Sequence, residues 1–515
     1  MFLGQEGFEL TGNAYPYNKW YNTVSDTEGD DILNCHPCPL KLLLIFRRIK
    51  MYSIDFSKPV KIYFVGIGGI SMSGLAVILK RAGFDVSGSD RSSSETTEIL
   101  EKEGIRVFYG QKKENITKDL DVAVLTAAIH PDNPEYVELE RLGIPHMTRA
   151  ELLGQMMKNY KTSVAVSGTH GKTTTTSMVS QVLLDADTDP TLFIGGFFGP
   201  IKSNIRIGGS EYLAAEACEY TNSFLSMQPT DEIILNIEED HLDFFKDLED
   251  IRHSFRRFAD LIPERGALVI NAAIPRLEEL TKGLSCKIIT YSSPEKGGEW
   301  YPENITFDER GYAAFDVMHH TDSEEVCLGH ISLEVPGIHN VGNALAAFAL
   351  CDSYGIPAET VCKALSHFSG AKRRFELKGT KNGVTVIDDY AHHPTEIATT
   401  LASAARYPHK RVVCVFQPHT YTRTKELFDD FAEVLSHADQ LVLAPIYAAR
   451  ETDTLGVSSD LLAEAVKAKG SEHVISLPSF DEILKFLSKN CINGDLLITV
   501  GAGDVDKIGD RFLEE

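Results

Sequence analysis

The stretch Ser163-Val-Ala-Val-Ser-Gly-Thr-His-Gly-Lys-Thr-Thr174 decides the fold of the middle of the chain. Its apolar start predicts a buried strand, and a helix is predicted to follow as far as about Leu184. Gly-Lys-Thr between a strand and a helix is typical of a phosphate loop, in which backbone N–H groups surround phosphate oxygens. Val166 stands where the strict motif has glycine, so we predict a shortened loop that begins at Gly168. A simple turn with a surface lysine would leave the threonine run 173–176 unexplained.

This loop predicts an ATP site with Mg²⁺. Lys172 is expected to contact the outer phosphates, and Thr173 to hold the metal ion. The residues predicted to bind the nucleotide phosphates are Gly168, Thr169, His170, Gly171, Lys172, Thr173 and Thr174.

Two later strands of this unit end in polar residues. The strand 212–215 runs into Glu216, and the strand 233–235 leads to His241. The carboxyl ends of neighbouring parallel strands line one crevice, so we predict that Glu216 and His241 bind metal beside Thr173. Taken singly, each side chain is more often solvated or satisfied in other ways. The sequence also leaves open whether Glu216 or Glu219 is the ligand.

A glycine-rich turn opens an earlier unit. The strand Lys61–Val65 is followed by Gly66-Ile-Gly-Gly-Ile-Ser-Met-Ser-Gly74 and a helix predicted over 75–80. This order is that of a Rossmann nucleotide-binding unit, with Asp90 at a suitable distance for a ribose hydroxyl. Ser71 replaces the third glycine, and a mere tight turn is the alternative. The predicted substrate residues are Gly66, Gly68, Gly69, Ser71 and Asp90.

A third unit has the pattern of a doubly wound sheet, with strands predicted at 384–387, 412–416 and 495–500. The adjacent histidines His392 and His393 suggest metal binding, but they lack an obvious third ligand, so positioning or hydrogen bonding is favoured. Just before this unit, Asn340 and Asn343 at a predicted helix start suit an adenine edge. Helix capping is an equal explanation for Asn340.

The composition excludes several classes of protein. Hydrophobic residues make up 43% and charged residues 24%, as in globular proteins, and the net charge of −24 disfavours binding to nucleic acid or anionic membranes. No apolar run approaches a membrane span, and nine scattered cysteines do not suggest a disulfide framework. We therefore predict a cytoplasmic protein.

Residues 1–50 lack a sustained helix or strand period and are predicted to be an extension outside the catalytic core. Within it, Cys35 and Cys38 have the spacing of metal ligands but lack a second pair to complete a site.

From about Lys61 onward the chain resembles the Mur ligase family, in its alanine-adding branch. The matching segments follow the family order through all three units: 66–74, 168–175, Glu216-Ala-Cys-Glu219 with Ser223-Phe224, 236–241, Pro336-Gly-Ile-His-Asn340, Arg373-Arg-Phe375, 389–396 and 417–424.

The resemblance implies an α/β fold of three domains, each a mainly parallel sheet flanked by helices. The expected boundaries are 51–160 for a UDP-sugar domain, 161–372 for an ATP domain and 373–515 for an amino-acid domain. It implies that Asn340, Asn343 and His339 face adenine, that Arg374 faces the phosphates and that Asp389 binds the ATP ribose. Tyr390, His392, His419 and Arg423 would position the acceptor carboxylate and the incoming amino acid.

The implied activity is ATP-dependent ligation of L-alanine to the lactyl carboxylate of UDP-N-acetylmuramate through an acyl phosphate. Within this reading the residues expected to act in catalysis are Lys172, Glu216, His241, Arg374, His392, His419 and Arg423. Thr420 stands where many family members have arginine, which puts the amino-acid carboxylate contact in doubt. Phe255-Arg-Arg-Phe258 leaves no place for the carbamylated lysine of later-acting relatives.

Other functions stay open at this point. A sister ligase would attach a peptide or another amino acid to the same sugar, and a nucleotide-sugar sensor would use ATP only as a switch. A motor ATPase would leave the first and third units without a role. The sequence leaves both a monomer and a homodimer possible, and it does not fix the strictness of the preference for alanine.

Overall fold

The computed structural model describes residues 52–126, 129–242, 244–294, 297–321, 324–449, 451–453 and 455–514. The predicted extension 1–50, with Cys35 and Cys38, lies outside the described residues. Within the described part, no helix combines the length and the apolarity needed to cross a bilayer.

The first domain is a parallel sheet of five strands in the order β3-β2-β1-β4-β5. The chain passes from β1 into the glycine turn and then into α1, whose first residue follows Gly69. The elements are β1 (Lys61–Val65), α1 (Ile70–Arg81), β2 (Asp85–Asp90), α2 (Glu95–Lys102), β3 (Arg106–Tyr109), β4 (Val122–Leu125), α3 (Pro134–Leu142), β5 (His146–Thr148) and α4 (Arg149–Met157).

The central domain has ten strands in the order β15-β14-β13-β12-β11-β10-β6-β9-β7-β8. The strand before the phosphate loop lies in its parallel middle, between β10 and β9. The elements are β6 (Thr162–Ser167), α5 (Lys172–Asp185), β7 (Thr191–Phe198), β8 (Ser203–Arg206), β9 (Tyr212–Glu216), β10 (Asp231–Ile234), α6 (Leu248–Ala259), β11 (Ala267–Asn271), α7 (Leu277–Thr281), β12 (Lys287–Tyr291), β13 (Trp300–Phe307), β14 (Tyr312–His320), β15 (Glu325–Pro336), α8 (His339–Ser353) and α9 (Ala358–Ser366).

The C-terminal domain has six strands in the order β16-β17-β21-β18-β19-β20, all parallel except β16. The elements are β16 (Glu376–Lys381), β17 (Val384–Asp389), α10 (Pro394–Arg406), β18 (Arg411–Phe416), α11 (Tyr421–Glu426), α12 (Phe428–Leu435), β19 (Gln440–Leu443), α13 (Ser459–Ala468), β20 (Val474–Ser476), α14 (Phe480–Asn490), β21 (Asp495–Val500) and α15 (Asp506–Glu514).

Apolar residues on both faces of the sheets form the cores. One core runs from Ile62 and Phe64 of the first domain to Ala165 and Phe255 beneath the central sheet. Burying these faces removes apolar surface from water, which is the main driving force for such an arrangement. The shared core fixes the glycine turn of the first domain relative to the phosphate loop.

The predicted fold of three mainly parallel, helix-flanked sheets is confirmed. The structure adds three antiparallel features that the sequence did not predict. The central sheet is extended at one edge by the hairpins of β13, β14 and β15 and ends at the other in the antiparallel pair of β7 and β8. The C-terminal sheet begins with the hairpin of β16 and β17.

Candidate active site

The phosphate loop connects β6 to α5 by a turn that requires glycine. Gly168 and Gly171 have φ values of +140° and +85°. A Cβ atom on Gly171 would lie only 2.9 Å from the side-chain oxygen of Asn343. The tight approach brings the loop against helix α8, so the predicted phosphate and adenine residues share one site.

The ammonium group of Lys172 lies over the loop that precedes it. Its Nζ donates to the carbonyl oxygens of Gly168 (2.6 Å) and Thr169 (3.0 Å) and lies 3.1 Å from a carboxylate oxygen of Glu219. Burial opposes the charge, but the neighbouring carboxylate of Glu219 outweighs it, so the pKa of Lys172 lies above its ordinary value. The loop therefore holds a partly buried cation at neutral pH.

Thr173 joins two other predicted site residues. Its hydroxyl donates to Glu216 at 2.8 Å and accepts a hydrogen bond of 3.3 Å from the guanidinium of Arg374. The backbone N–H of Gly195 also donates to Glu216, at 3.0 Å. Glu216 is thus held at the end of β9 by two donors.

A second acidic group lies beside the lysine. One ligand atom each from Glu219, Asp240 and His241 lie within 4.8 Å of one another, which is the only such grouping in the described residues. The ring of Tyr220 stacks on His241 with centroids 4.5 Å apart. The predicted metal residues Thr173, Glu216 and His241 therefore lie in two groups, with His241 next to Glu219.

A cavity of about 250 Å³ opens between the phosphate loop and the C-terminal domain. Several residues predicted to bind the nucleotide line it, together with His339: His170, Gly171, Thr173, Thr174, Asn340, Asn343, Arg374 and Asp389. His339, the first residue of α8, contributes to this wall while its side chain stays exposed to solvent.

The two asparagines of this cavity are tied to each other. The side chain of Asn340 donates to the carbonyl of Pro336 at 2.7 Å and accepts from Asn343 at 3.0 Å. The start of α8 has no side-chain cap, so capping does not explain Asn340. Its position in the wall of the cavity agrees with a role in contacting adenine, which stays a prediction.

Asp389 ends β17 on the far side of the cavity. Its carboxylate accepts from the backbone N–H groups of Phe375 (2.9 Å) and Ala391 (2.8 Å). Burial raises its pKa to about 6, and the nearby cation of Arg374 opposes that rise. The aspartate is therefore placed for the predicted ribose contact with its charge largely retained at pH 7.

A wider cleft of about 1050 Å³ adjoins the cavity and is lined by His419, Thr420 and Arg423. Arg423 donates to His419 at 3.3 Å, and the ring of His392 lies 6.1 Å from that of His419. Burial lowers the pKa of His419 to about 4, helped by His392 and Arg423, so the ring is a neutral acceptor. Tyr390 lies against His392, with ring centroids 5.5 Å apart.

Thr420 caps the start of α11. Its φ is +64°, and its hydroxyl accepts from the backbone N–H of Arg423 at 3.4 Å. The position supplies no cation to the cleft, so Arg423 is the cationic residue among those predicted here.

In the first domain, the glycine turn is braced by Asp90. The carboxylate accepts from the N–H groups of Gly68 (2.8 Å) and Arg91 (2.7 Å). Helix α1 starts at the turn without a side-chain cap, which leaves N–H groups of its first turn for an anion. The hydroxyl of Ser71, near that helix start, accepts from Arg149 at 3.1 Å.

Comparison with known proteins covers nearly all the described residues. Three family models match in succession: "Mur ligase family, catalytic domain" over residues 61–161, "Mur ligase middle domain" over 166–351, and "Mur ligase, glutamate ligase domain" over 373–503. A UDP-N-acetylmuramate–L-alanine ligase from Agathobacter rectalis is 56% identical over 466 residues, which is 90% of this chain and all of that protein.

The chain belongs to the Mur ligase family. The resemblance predicted from its motifs is confirmed.

Other Mur ligases are similar over the same region. A protein of the same name from Clostridium perfringens is 49% identical over 90% of this chain and 100% of its own length. The crystal structure of UDP-N-acetylmuramate-alanine ligase from Thermotoga maritima has a TM-score of 0.72 at 31% identity, covering 88% of this chain and 98% of that one. A murein peptide ligase from Psychrobacter arcticus has a TM-score of 0.64 at 26% identity, with the same coverages.

Some residues of this Mur ligase site were missed by the sequence analysis. Arg149 begins α4 and reaches the glycine turn of another segment, and Glu238 and Glu396 both contact the loop residue His170. None stands in a phosphate or glycine motif. The two glutamates could have been found only from the segments that match the family: Glu238 lies in the segment 236–241, and Glu396 ends the segment 389–396.

Proposed function

We propose that the chain joins L-alanine to the lactyl carboxylate of UDP-N-acetylmuramate at the expense of ATP, in the synthesis of peptidoglycan precursors. The observation that carries this proposal is that the nucleotide cavity and the amino-acid cleft adjoin. The cavity beside the phosphate loop and the cleft of His419 share Glu238 and Thr395 in their walls. A nucleotide in the first space and an amino acid in the second would therefore meet.

The main obstacle to the reaction is electrostatic. A carboxylate must approach the γ-phosphate of ATP, and two anions repel strongly where water is excluded. Two cations, Arg374 and His170, line the cavity, and Lys172 lies between the lining residues Gly171 and Thr173 of the phosphate loop. Although burial opposes the charge of His170, the carboxylates of Glu238 and Glu396 raise its pKa to about 9. These cations offset the repulsion in the transition state.

The residues present fit Mg²⁺. Glu219 and Asp240 offer carboxylate oxygens within 4.8 Å of each other, and Mg²⁺ is commonly bound by one or two carboxylates together with substrate phosphates. Thr173 and Glu216 provide a second pair of oxygens, 2.8 Å apart. When bound there, Mg²⁺ would supply positive charge to the phosphate oxygens.

The chemistry proceeds in two displacements. A lactyl carboxylate oxygen attacks the γ-phosphorus, the bond to the β-phosphate oxygen breaks, and ADP leaves with an acyl phosphate as the other product. The amine of alanine then attacks the acyl carbon and loses a proton. Phosphate departs with the former carboxylate oxygen, and an amide remains. Lys172 and Arg374 stabilise the phosphate charge in both steps.

The cleft residues suit a small amino acid. Arg423 provides a cation for the carboxylate of alanine, and bidentate contacts of this kind fix orientation as well as adding binding energy. The neutral imidazole of His419 accepts from Arg423 through Nδ1 at 3.3 Å, which leaves its Nε2–H as a donor for the carboxylate of alanine. Together they would hold the nucleophile toward the junction with the cavity.

Phosphate release from ATP and Mg²⁺ tests the proposal, with UDP-N-acetylmuramate and a panel of amino acids. We expect release that requires both the UDP-sugar and L-alanine, with a product heavier by one alanine residue. Release with a peptide but not with alanine would instead make the chain a peptide-adding ligase. Absence of release with every acceptor, while ATP still binds, would contradict the enzyme proposal and favour a sensor.

A further inference from the structure

We propose that Glu396 is a positioning residue that joins the phosphate loop to the turn of His392 and His393 in the C-terminal domain, so that nucleotide and amino acid are bound in one coupled arrangement. The proposal rests on the function proposed above and concerns how the two sides of that site are connected. One partly buried carboxylate contacts a residue from each side of the site.

The contacts of Glu396 divide between its two oxygens. Oε2 accepts from the backbone N–H groups of His392 (3.0 Å) and His393 (3.3 Å) and lies 3.3 Å from the ring nitrogen Nδ1 of His392. Oε1 lies 3.3 Å from Nδ1 of His170 in the phosphate loop. The single side chain thus connects the start of α10 with a loop of the central domain.

Charge strengthens this connection. Burial opposes ionisation of Glu396, but the surrounding His392, His170 and Arg374 hold its pKa well below the usual range. His170 lies between Glu396 and Glu238, whose nearest oxygen is 3.5 Å from Nε2. The pair is partly buried, so removing one partner leaves the other charge incompletely compensated, which destabilises that arrangement.

An ordinary capping role does not account for these contacts. The chain contains a matched example in α4, where Thr148 and Glu151 form a capping box. The carboxylate of Glu151 accepts from the N–H of Thr148 at 2.6 Å. In the described part of the chain it makes no ion pair with another element, whereas Glu396 performs the same capping and also reaches His170.

The two histidines held by Glu396 lie on different sides of the site. His170 lines the nucleotide cavity, and His392 lies 6.1 Å from His419 of the amino-acid cleft, between ring centroids. Loss of the carboxylate charge would remove one contact from each ring at the same time, leaving His392 with the carbonyl of Tyr390 (3.1 Å) and His170 with Glu238 (3.5 Å). Nucleotide affinity and amino-acid affinity should therefore weaken in the same variant, although Glu396 takes no part in the bond changes.

The test compares Glu396→Gln with the matched control Glu151→Gln. Calorimetry measures the Kd of a non-hydrolysable ATP analogue, and steady-state kinetics measure KM for alanine and kcat. We expect Glu396→Gln to raise both the Kd and the KM by roughly 10-fold, a size typical of coupling between sites. Glu151→Gln should leave both within about 2-fold, since it removes a capping contact alone.

A second variant, His170→Gln, removes the link between the domains while leaving the capping contacts of Glu396 in place. We expect it also to raise the KM for alanine, and the double variant to be no weaker than the worse single one. Additive effects, or unchanged affinities in a folded Glu396→Gln protein, would overturn the proposal. If Glu396→Gln does not fold, an unchanged KM for alanine in His170→Gln would overturn it. Binding of the ATP analogue is measured without any amino acid, so a wrong acceptor assignment would not affect this readout.

Discussion

The guanidinium of Arg374, just before the C-terminal sheet, donates a hydrogen bond of 3.3 Å to the hydroxyl of Thr173 on the phosphate loop. The two residues belong to different domains, so the nucleotide cavity has walls from both. An acyl phosphate is destroyed by water, and a site closed by two domains is a way to exclude it. The contact therefore links the domain arrangement to the proposed chemistry.

Replacement of Lys172 should separate catalysis from sugar binding. We expect Lys172→Ala to lower kcat by roughly 100- to 1000-fold, because the cation at the γ-phosphate is lost. The glycine turn of the first domain is unaltered, so the Kd for UDP-N-acetylmuramate should change by less than about 2-fold. Calorimetry with the UDP-sugar checks this division, and parallel loss of binding and turnover would argue against it.

The two glutamates near the loop should differ in their effect on metal binding. Glu219 lies with Asp240 and His241, whereas Glu216 already accepts from Thr173 and Gly195. We expect Glu219→Gln to weaken Mn²⁺ binding, followed by electron paramagnetic resonance, by roughly 10-fold or more. Glu216→Gln should have a smaller effect on that affinity. The reverse order would place the tighter metal contact at Glu216.

Arg149 should contribute to binding of the UDP-sugar. Burial lowers the pKa of its guanidinium, no ion pair joins it to a carboxylate in the described residues, and it donates to Ser71 near the start of α1. A cation in this position is suited to a pyrophosphate. We expect Arg149→Ala to raise the Kd for the UDP-sugar by roughly 10-fold while ATP affinity stays unchanged.

The exposed Arg141, which pairs with Glu138, provides the control. Arg141→Ala should leave the Kd for the UDP-sugar within about 2-fold of the original value. Equal effects of the two replacements would indicate a general loss of positive charge rather than a contact by Arg149.

Glu232 should make the stability of the fold depend on pH. It lies fully buried in β10, neither of its carboxylate oxygens has a hydrogen-bond partner in the described structure, and burial raises its pKa well above 4.5. Below about pH 4.5 the group is protonated in both the folded and unfolded states. As the pH rises the unfolded state ionises first, so this residue lowers the free energy of unfolding until the folded pKa is reached.

Glu232→Met removes the carboxyl group at nearly the same volume. We expect a gain of roughly 1–4 kcal/mol in the free energy of unfolding near pH 8, shrinking toward pH 4.5. Urea titrations of both proteins at the two pH values measure the difference. A gain that is constant with pH would show that ionisation of Glu232 is not its cause.

The sequence was sufficient to predict the parts of the site that are formed by a short local pattern. The glycine turn before α1 and the phosphate loop before α5 each combine a strand, special backbone angles and a helix within a few residues. The strand-end rule also located Glu216 and His241 near the loop, because parallel strands end at a common edge.

Contacts between residues far apart in the chain could not be predicted from the sequence. The pairing of Glu396 with His170 depends on how two domains pack, and no short pattern encodes it. Similarly, the strands β13 to β15 pair as hairpins with irregular register. These irregularities interrupt the alternation of apolar and polar residues by which a strand is predicted from sequence. The separation of His241 from Glu216 reflects the turn after β10, where His241 itself has a φ of +54°.

The most direct test of the proposed reaction follows oxygen atoms. UDP-N-acetylmuramate labelled with ¹⁸O in the lactyl carboxylate is converted with ATP and L-alanine, and the released phosphate is analysed by mass spectrometry. Attack of the carboxylate on the γ-phosphorus predicts one ¹⁸O atom in each phosphate and one retained in the new amide. Unlabelled phosphate, released together with the amide product, would contradict a route through an acyl phosphate.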